Sequence, residues 1–451
     1  MSIFFRMMVI GPRAWFAGKI NKQKDLQSVR WILSWLLIMI PIFYVIACLL
    51  LLNTYFAIDM LSYNMNDFGK YYYSAVSFLQ GRNIYDINPA MLIPVSVLEY
   101  HIFLNLIPPH FTLLILPLAL FSPQIALLLW ILINLFCLLA SLLIIFRKLK
   151  VKFNSWRVML LVIGLLAFAG TGAVVFTGQL SFIMMLLITL FWAESRSDRW
   201  VRAGIYLGLS MSIKLFLLIF FPYLLLRKKW RAVIVASGVA LSCYCLGVMI
   251  FGWDNYRFWL NGLQSAKWSW GAMNASVQGF FARLLATSPN FQPFFIKPAL
   301  VKLLWLVTGG LIGVVTLGLT IHDKSREEVD RSYALLLVAA QLISPLGWIY
   351  YSWLAFGPLI ALVVSWYRSW QEKKEADRSL LKVRNSLILI ALLGFLIPLN
   401  CPLYFQPNVF ITFSLGSAYF WATLALWIGL CVDGKLAWRR STLGLQRVGR
   451  L

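Results

Sequence analysis

The sequence predicts an all-α protein that crosses a membrane many times. Three observations carry that expectation. Hydrophobic residues fill 61% of the 451 positions and charged residues only 12%, about half the charged share of an ordinary soluble chain. Apolar runs of roughly 20 residues, the length that spans a bilayer, recur along the chain. The 40 basic residues, against 16 acidic ones, fall in short clusters between those runs, as loops on the cytoplasmic side do. This clustering assigns the net charge of +24 to topology rather than to a nucleic-acid partner.

Residues 1–30 carry Arg6, Arg13, Lys19, Lys22, Lys24 and Arg30 around short apolar patches. They read as a basic segment lying on the cytoplasmic face rather than as a cleaved signal. A single membrane domain is expected over 31–432, with a basic cytoplasmic tail at 433–451. Its first span, 31–53, runs outward. The stretch 54–108 holds Asp59, Asp67, Asp86 and Glu99 against Lys70 and Arg82, which marks an external loop. Residues 109–121 are apolar but interrupted by Pro117, so a partial or interfacial helix is expected there, followed by a crossing at 123–146 toward Arg147 and Lys148.

Residues 157–177 should then run outward and 179–193 back. The stretch 203–226 has basic clusters at both ends, Arg202 before it and Arg227 to Lys229 after it. A re-entrant pair broken near Lys214 keeps both clusters inside. Residues 231–251 lead out to a second external loop at 252–297. Spans follow at 298–321, 333–346, 349–366, 385–399 and 409–432. The total comes to roughly ten to thirteen transmembrane or re-entrant helices, with both termini cytoplasmic and no internal repeat.

The six cysteines lie in or beside apolar segments with no Cys-x-x-Cys pair, and the three histidines are scattered. Neither set suggests a metal site. No Asp-x-Asp pair occurs in the expected external loops, and Asp67 alone offers too few oxygens for Mg²⁺. A reaction without metal or other cofactor is expected.

The densest polar pattern is Asn66-Asp67-Phe68-Gly69-Lys70-Tyr71-Tyr72-Tyr73, just beyond the first span. A carboxylate there can take a proton from a sugar hydroxyl, and the tyrosines offer flat faces and hydroxyls. An interfacial aromatic belt with a solvated Asp accounts for the same residues. Lys214 is a charge inside an apolar stretch, which is costly and points to function. The second external loop is basic against the topological trend, through Arg257, Lys267, Arg283 and Lys297.

Taken in order, these segments resemble glycosyltransferase family 87. Asp67-Phe68 with Tyr71-Tyr72 and Ala75, then Leu79, Gly81 and Tyr85, look like its first external loop. Pro108-Pro109 with Pro117-Leu118, Gly178-Gln179, and Ala203-Gly204 through Ile213-Lys214 look like its next motifs. Asn274-x-Ser276 with Gly279 and Ala282-Arg283, then Ser344-Pro345 with Trp348, look like its later ones.

The resemblance implies the polytopic GT-C glycosyltransferase fold, whose best-known members in this family are mannosyltransferases using polyprenyl-phosphate mannose. It implies Asp67 as catalytic base, and Lys214 and Arg283 at the donor phosphate. Tyr71, Tyr72, Gln179, Asn274, Ser276, Trp348, Tyr350 and Tyr351 would contact sugar or acceptor. The implied partners are a polyprenyl-phosphate sugar donor, a lipid or glycan acceptor and membrane lipids. The site would face outward from the cytoplasmic membrane, and transfer would invert the anomeric carbon. A lipid-linked-glycan flippase or a polymer ligase is the competing reading. The sequence departs from the family at Ile349, Tyr350 and Tyr351, where a histidine is common, and at Ser181, where Asn is common.

Overall fold

The computed structural model describes residues 66–94, 100–151, 155–265, 268–321, 326–371, 378–399 and 408–448. The expected basic segment at 1–30 and the first span at 31–53 lie outside the described residues. What is described is helical, apart from one antiparallel ribbon that pairs β1 (Leu92–Pro94) with β2 (Tyr100–Ile102). Among the described residues five helices are long and apolar enough to cross a membrane. The expected total of ten to thirteen is therefore not reached on length and composition alone.

The described residues open on α1 (Asn66–Leu79), inside the expected first external loop. Residues 109–121 form only short helical turns, at Pro109–Phe111, Thr112–Ile115 and Leu118–Leu120. Pro117 has no amide proton to continue a helix. The first long helix, α2 (Pro123–Leu149), starts with a proline in its first turn and ends at Arg147 and Lys148. Both features suit their positions: proline is tolerated at a helix start and cations at its carbonyl end.

The expected single span at 157–177 is instead two helices, α3 (Ser155–Ala167) and α4 (Ala169–Thr177). Phe168 between them is extended, with φ −73° and ψ 120°. Its ring lies over Gly170, where an added Cβ would sit 2.5 Å from it. The break thus depends on a glycine accepting an aromatic ring against its backbone. The chain turns at Gly178 and returns as α5 (Ser181–Ser195).

The break at Lys214 is where the charge pattern puts it. Helix α6 (Trp200–Ile213) stops, Lys214 is extended with φ −136° and ψ 104°, and a 3-10 turn at Leu215–Ile219 leads into α7 (Phe220–Leu226). Helix α8 (Trp230–Phe251) then packs along α6. Gly204 and Gly208 make that approach close: a Cβ on either would lie 2.7 or 2.6 Å from the Ala232 or Ala236 carbonyl. Small residues one turn apart serve helix contact where no water drives it.

Helices α9 (Trp253–Ser265) and α10 (Val277–Leu285) lie within the expected second external loop. Then come α11 (Pro298–Thr320), α12 (Arg326–Ile343), a 3-10 stretch at Ile349–Ala355 running into α13 (Phe356–Gln371), and α14 (Arg378–Phe395). The expected span at 409–432 begins with a short helix at Val409–Phe413 and a turn at Leu415–Ser417 before α15 (Ala418–Val448).

Two buried carboxylates tie one end of these helices together. Asp433 accepts from Arg331 Nε at 2.9 Å and from Arg384 at 2.7 Å, joining α15 to α12 and α14. Asp330 accepts from Trp192 Nε1 at 2.8 Å and pairs with Arg196 at 3.1 Å, joining α12 to the end of α5. Burying charges is tolerable here because each finds an opposite charge and hydrogen bonds.

Candidate active site

Asp67 lies in the first turn of α1, where the free amide ends of a helix favour a negative charge. The next residue fixes the helix in place. Phe68 stacks on Trp130 of α2 with ring centroids 5.5 Å apart. Trp130 Nε1 in turn donates to the Gly178 carbonyl at 2.8 Å. Gly178 has φ +63°, and a Cβ there would meet Phe68 Cβ at 2.6 Å. Only a residue without a side chain allows this turn and this contact together. The turn delivers Gln179 directly to Asp67.

Both oxygens of the carboxylate are held. Gln179 Nε2 donates to Oδ2. Lys70 Nζ, one helical turn along α1, donates to Oδ1 at 2.6 Å. The Gln179 carbonyl is itself occupied by the Tyr71 hydroxyl at 3.3 Å. Burial, and secondarily the Asp67 carboxylate, push the Tyr71 phenol well above its ordinary range, so it stays a neutral donor. The Asp67 side chain keeps 23% of its surface exposed, while that of Lys70 keeps 8%.

Asp67 opens onto a cavity of about 1500 Å³. Of the residues singled out in the sequence, Tyr71, Gln179, Lys214, Trp348, Tyr350 and Tyr351 line it with Asp67. Lys214 reaches it because the chain is extended at the break after α6. Tyr351 lies beneath that ammonium, with its ring centroid 5.9 Å away.

Four residues expected to touch substrate do not line the cavity. Tyr72 turns away and donates to the Phe121 carbonyl at 2.8 Å. Asn274 is fully buried and donates to the carbonyls of Ser269 at 2.8 Å and Pro345 at 3.0 Å. Ser276 caps α10, accepting from the Gly279 amide at 3.0 Å. Arg283 is fully buried, donating to the carbonyls of Gly271 at 2.9 Å and Asn274 at 3.1 Å and to Ser417 Oγ at 3.0 Å.

The physical reason is shared. Irregular backbone buried within a helical membrane protein needs partners for its amides and carbonyls. Asn274, Ser276 and Arg283 supply them, so the segment 268–273 can present Trp268 and Trp270 to the cavity. Burial without a counter-charge pulls the Arg283 pKa down to about 9, which leaves it cationic at neutral pH. The same segment is pinned to the strand-like stretch at Trp348. The Ala275 amide donates to Gly347 and the Ile349 amide to Met273, both at 2.9 Å, around an Asn274–Trp348 bridge. At Gly347 a Cβ would lie 1.9 Å from the Gln341 carbonyl, so no larger residue fits.

Sequence reading had missed Lys70, Trp268, Trp270 and Gln278, all of which line the cavity. For Lys70 a signal existed: positions i and i+3 share a helix face, so a lysine three residues after Asp67 falls beside it. Gln278 Oε1 is buried without a hydrogen-bond partner. Among the described residues, no group of three or more His, Cys, Asp or Glu side chains gathers.

Comparison with known proteins follows the same axis. The profile of glycosyltransferase family 87 matches residues 105–345. This range includes Gln179, Lys214 and Arg283 but starts after Asp67 and stops before Trp348. A curated relative from Mycobacterium tuberculosis is 24% identical over 282 residues: the polyprenol-phosphate-mannose-dependent alpha-(1-2)-phosphatidylinositol mannoside mannosyltransferase. The aligned region covers 59% of this chain, which thus spans 60% of the length of that relative. No solved structure matches.

Proposed function

This chain belongs to glycosyltransferase family 87, and on that premise we propose that it transfers mannose from a polyprenyl-phosphate donor to an acceptor hydroxyl at the outer face of the cytoplasmic membrane. The observation that carries the reading is the Asp67 carboxylate, held by Lys70 and Gln179 and opening onto the cavity that Lys214 also lines. A general base needs a fixed carboxylate with room for a hydroxyl in front of it. A phosphate leaving group needs a cation aimed at the charge it gains.

The rest of the cavity suits a lipid-linked sugar. Val301, Trp305 and Gly313 of α11 line it along with Ala340 and Ile343 of α12. Leu215 and Ile219, beyond the break at Lys214, line it too. This apolar arm runs along α11, a helix of membrane length, and fits an isoprenoid chain, while Lys70 and Lys214 stand beside Asp67 in the same cavity. Trp268, Trp270 and Trp348 offer flat faces to sugar rings. The activity named for the mycobacterial relative supports both the mannose and the polyprenol phosphate.

In the proposed reaction the acceptor oxygen attacks the anomeric carbon from the side opposite the phosphate. Asp67 takes its proton as the bond to phosphate breaks, and the anomeric centre inverts. A β-linked donor gives an α-linked product. The test is transfer of radiolabelled mannose from synthetic polyprenyl-phosphate mannose to membrane lipids, by purified wild type and by Asp67→Asn. Label moved by wild type alone is the expected result. Equal transfer by both would remove Asp67 from the reaction. No transfer by either would remove mannose as the sugar.

A further inference from the structure

Lys70 only holds the base in the reaction as written above, yet it is the cation paired with it. Its Nζ lies 2.6 Å from Asp67 Oδ1, and its side chain is buried against the Phe103 ring, whose centroid is 5.8 Å away. Lys214 lines the same cavity as Asp67 and Lys70. Apart from these three, the only charged side chain lining the cavity among the described residues is Lys302, which is solvent-exposed on α11. The charged groups of the cavity other than Lys302 are thus one carboxylate, paired with Lys70, and the second ammonium of Lys214.

The charges of this cluster match the reaction at both ends. A donor joined through one phosphate brings a single negative charge as a diester. With Asp67 ionised and both lysines protonated, the four groups sum to zero. Transfer moves the acceptor proton to Asp67 and breaks the bond from the anomeric carbon to the phosphate oxygen. The electron pair stays on that oxygen. The phosphate becomes a monoester with two negative charges, Asp67 becomes neutral, and the sum is again zero. At that moment Lys70 loses its partner in a buried place, where an unpaired charge is costly, and the phosphate gains the charge that Lys70 can pair.

We infer that Lys70 passes its pairing from Asp67 to the departing phosphate, so that Lys70 and Lys214 together form a site for a phosphate monoester dianion. The inference rests on the proposed phosphate-linked donor and on Asp67 as base. Lys70 counts in the transition state more than in the ground state, where it is already paired. Interactions of that kind raise kcat rather than lower KM.

The test separates this site from the transfer reaction. A short-chain polyprenyl phosphate is titrated into detergent-purified protein, with its methyl ester as the singly charged control. In Asp67→Asn the Lys70 ammonium has no carboxylate to pair, as after proton transfer. This variant should bind the monoester about tenfold more tightly than wild type, the scale of one added charge-assisted contact. Its gain for the singly charged methyl ester should be clearly smaller, since that ester carries half the charge. Lys70→Met in the Asp67→Asn background should lose the gain, and Lys70→Arg in that background should keep it. The arginine variant thereby reports folding as well as charge. A gain that survives Lys70→Met, or no gain in Asp67→Asn, overturns the inference.

With intact Asp67 and an active donor, Lys70→Met should lower kcat about a hundredfold, as loss of a group that stabilises developing charge does, with donor KM within about threefold. Equal losses in kcat and donor affinity would also overturn it. If no polyprenyl-linked sugar is turned over by wild type and yet the monoester gain depends on Lys70, the dianion site stands and the proposed donor falls.

Discussion

Gln179 and Asp67 are 112 residues apart in sequence, and the amide of one donates to the carboxylate of the other. The Gln179 carbonyl is held by Tyr71, so its amide nitrogen has one orientation open to it. The carboxylate is thereby aimed rather than merely present. Replacing Gln179 by Leu keeps the volume and removes the aim. Loss of about a hundredfold in kcat is expected, the scale of a catalytic group displaced by roughly 1 Å. Gln179→Glu should be worse, because it sets a second carboxylate against the first. Initial rates of sugar transfer measure both.

Gly178→Ala tests how α1 is seated. The position has φ +63° and its Cβ would lie 2.6 Å from that of Phe68. The backbone cost alone is about 1–2 kcal/mol, and the clash has to move α1 and Asp67 with it. A fall in transfer rate of more than about tenfold is expected. Wild-type activity in the alanine variant would mean that the turn does not set the position of the base.

Arg283→Met should behave as a structural change. It removes buried hydrogen bonds to the Gly271 and Asn274 carbonyls and to the Ser417 hydroxyl, and leaves the Asn274 carbonyl without that donor. The expected cost is about 3 kcal/mol or more of stability. A lower midpoint of thermal unfolding in detergent, with donor KM unchanged in the surviving protein, is the expected result. A selective rise in donor KM would put the guanidinium at the phosphate after all.

Asp433→Ala addresses the opposite case, a buried charge far from the cavity lining. It strips the shared carboxylate from Arg331 and Arg384. Removing one member of a buried pair typically costs about 3–5 kcal/mol. Unfolding should shift strongly, while Asp433→Asn, which keeps one of the two acceptor oxygens and loses the charge, should shift less.

Much of the candidate site could be read from residue types and their surroundings. Lys214 stood out because a charge in an apolar stretch is expensive, and the chain does break there to bring it to the cavity. Asp67 and Tyr71 lay in the densest polar pattern, the family resemblance added Gln179, and the three meet. The resemblance placed Asn274, Ser276, Arg283 and Tyr72 at the substrate, and none of them lines the cavity. A polar side chain that serves a carbonyl of its own chain has the same signature as one that serves a substrate. Only the coordinates separate them. The break at Phe168 was illegible for a different reason: it involves no proline and no charge, only an aromatic ring over Gly170. Lys70 was legible in its spacing from Asp67 but was counted only as loop charge.

The hydrogen-bonded bridge between Asn274 and Trp348 has one more consequence. It sews the tryptophan-bearing segment to the far wall of the cavity, so that segment cannot lift away by itself as a hinged flap would. Exchange of a long lipid would then proceed sideways, through the apolar arm between α11 and the chain after Lys214. Throughput would depend on how densely the surrounding leaflet is stocked with carrier, and on how fast the spent carrier diffuses away in two dimensions.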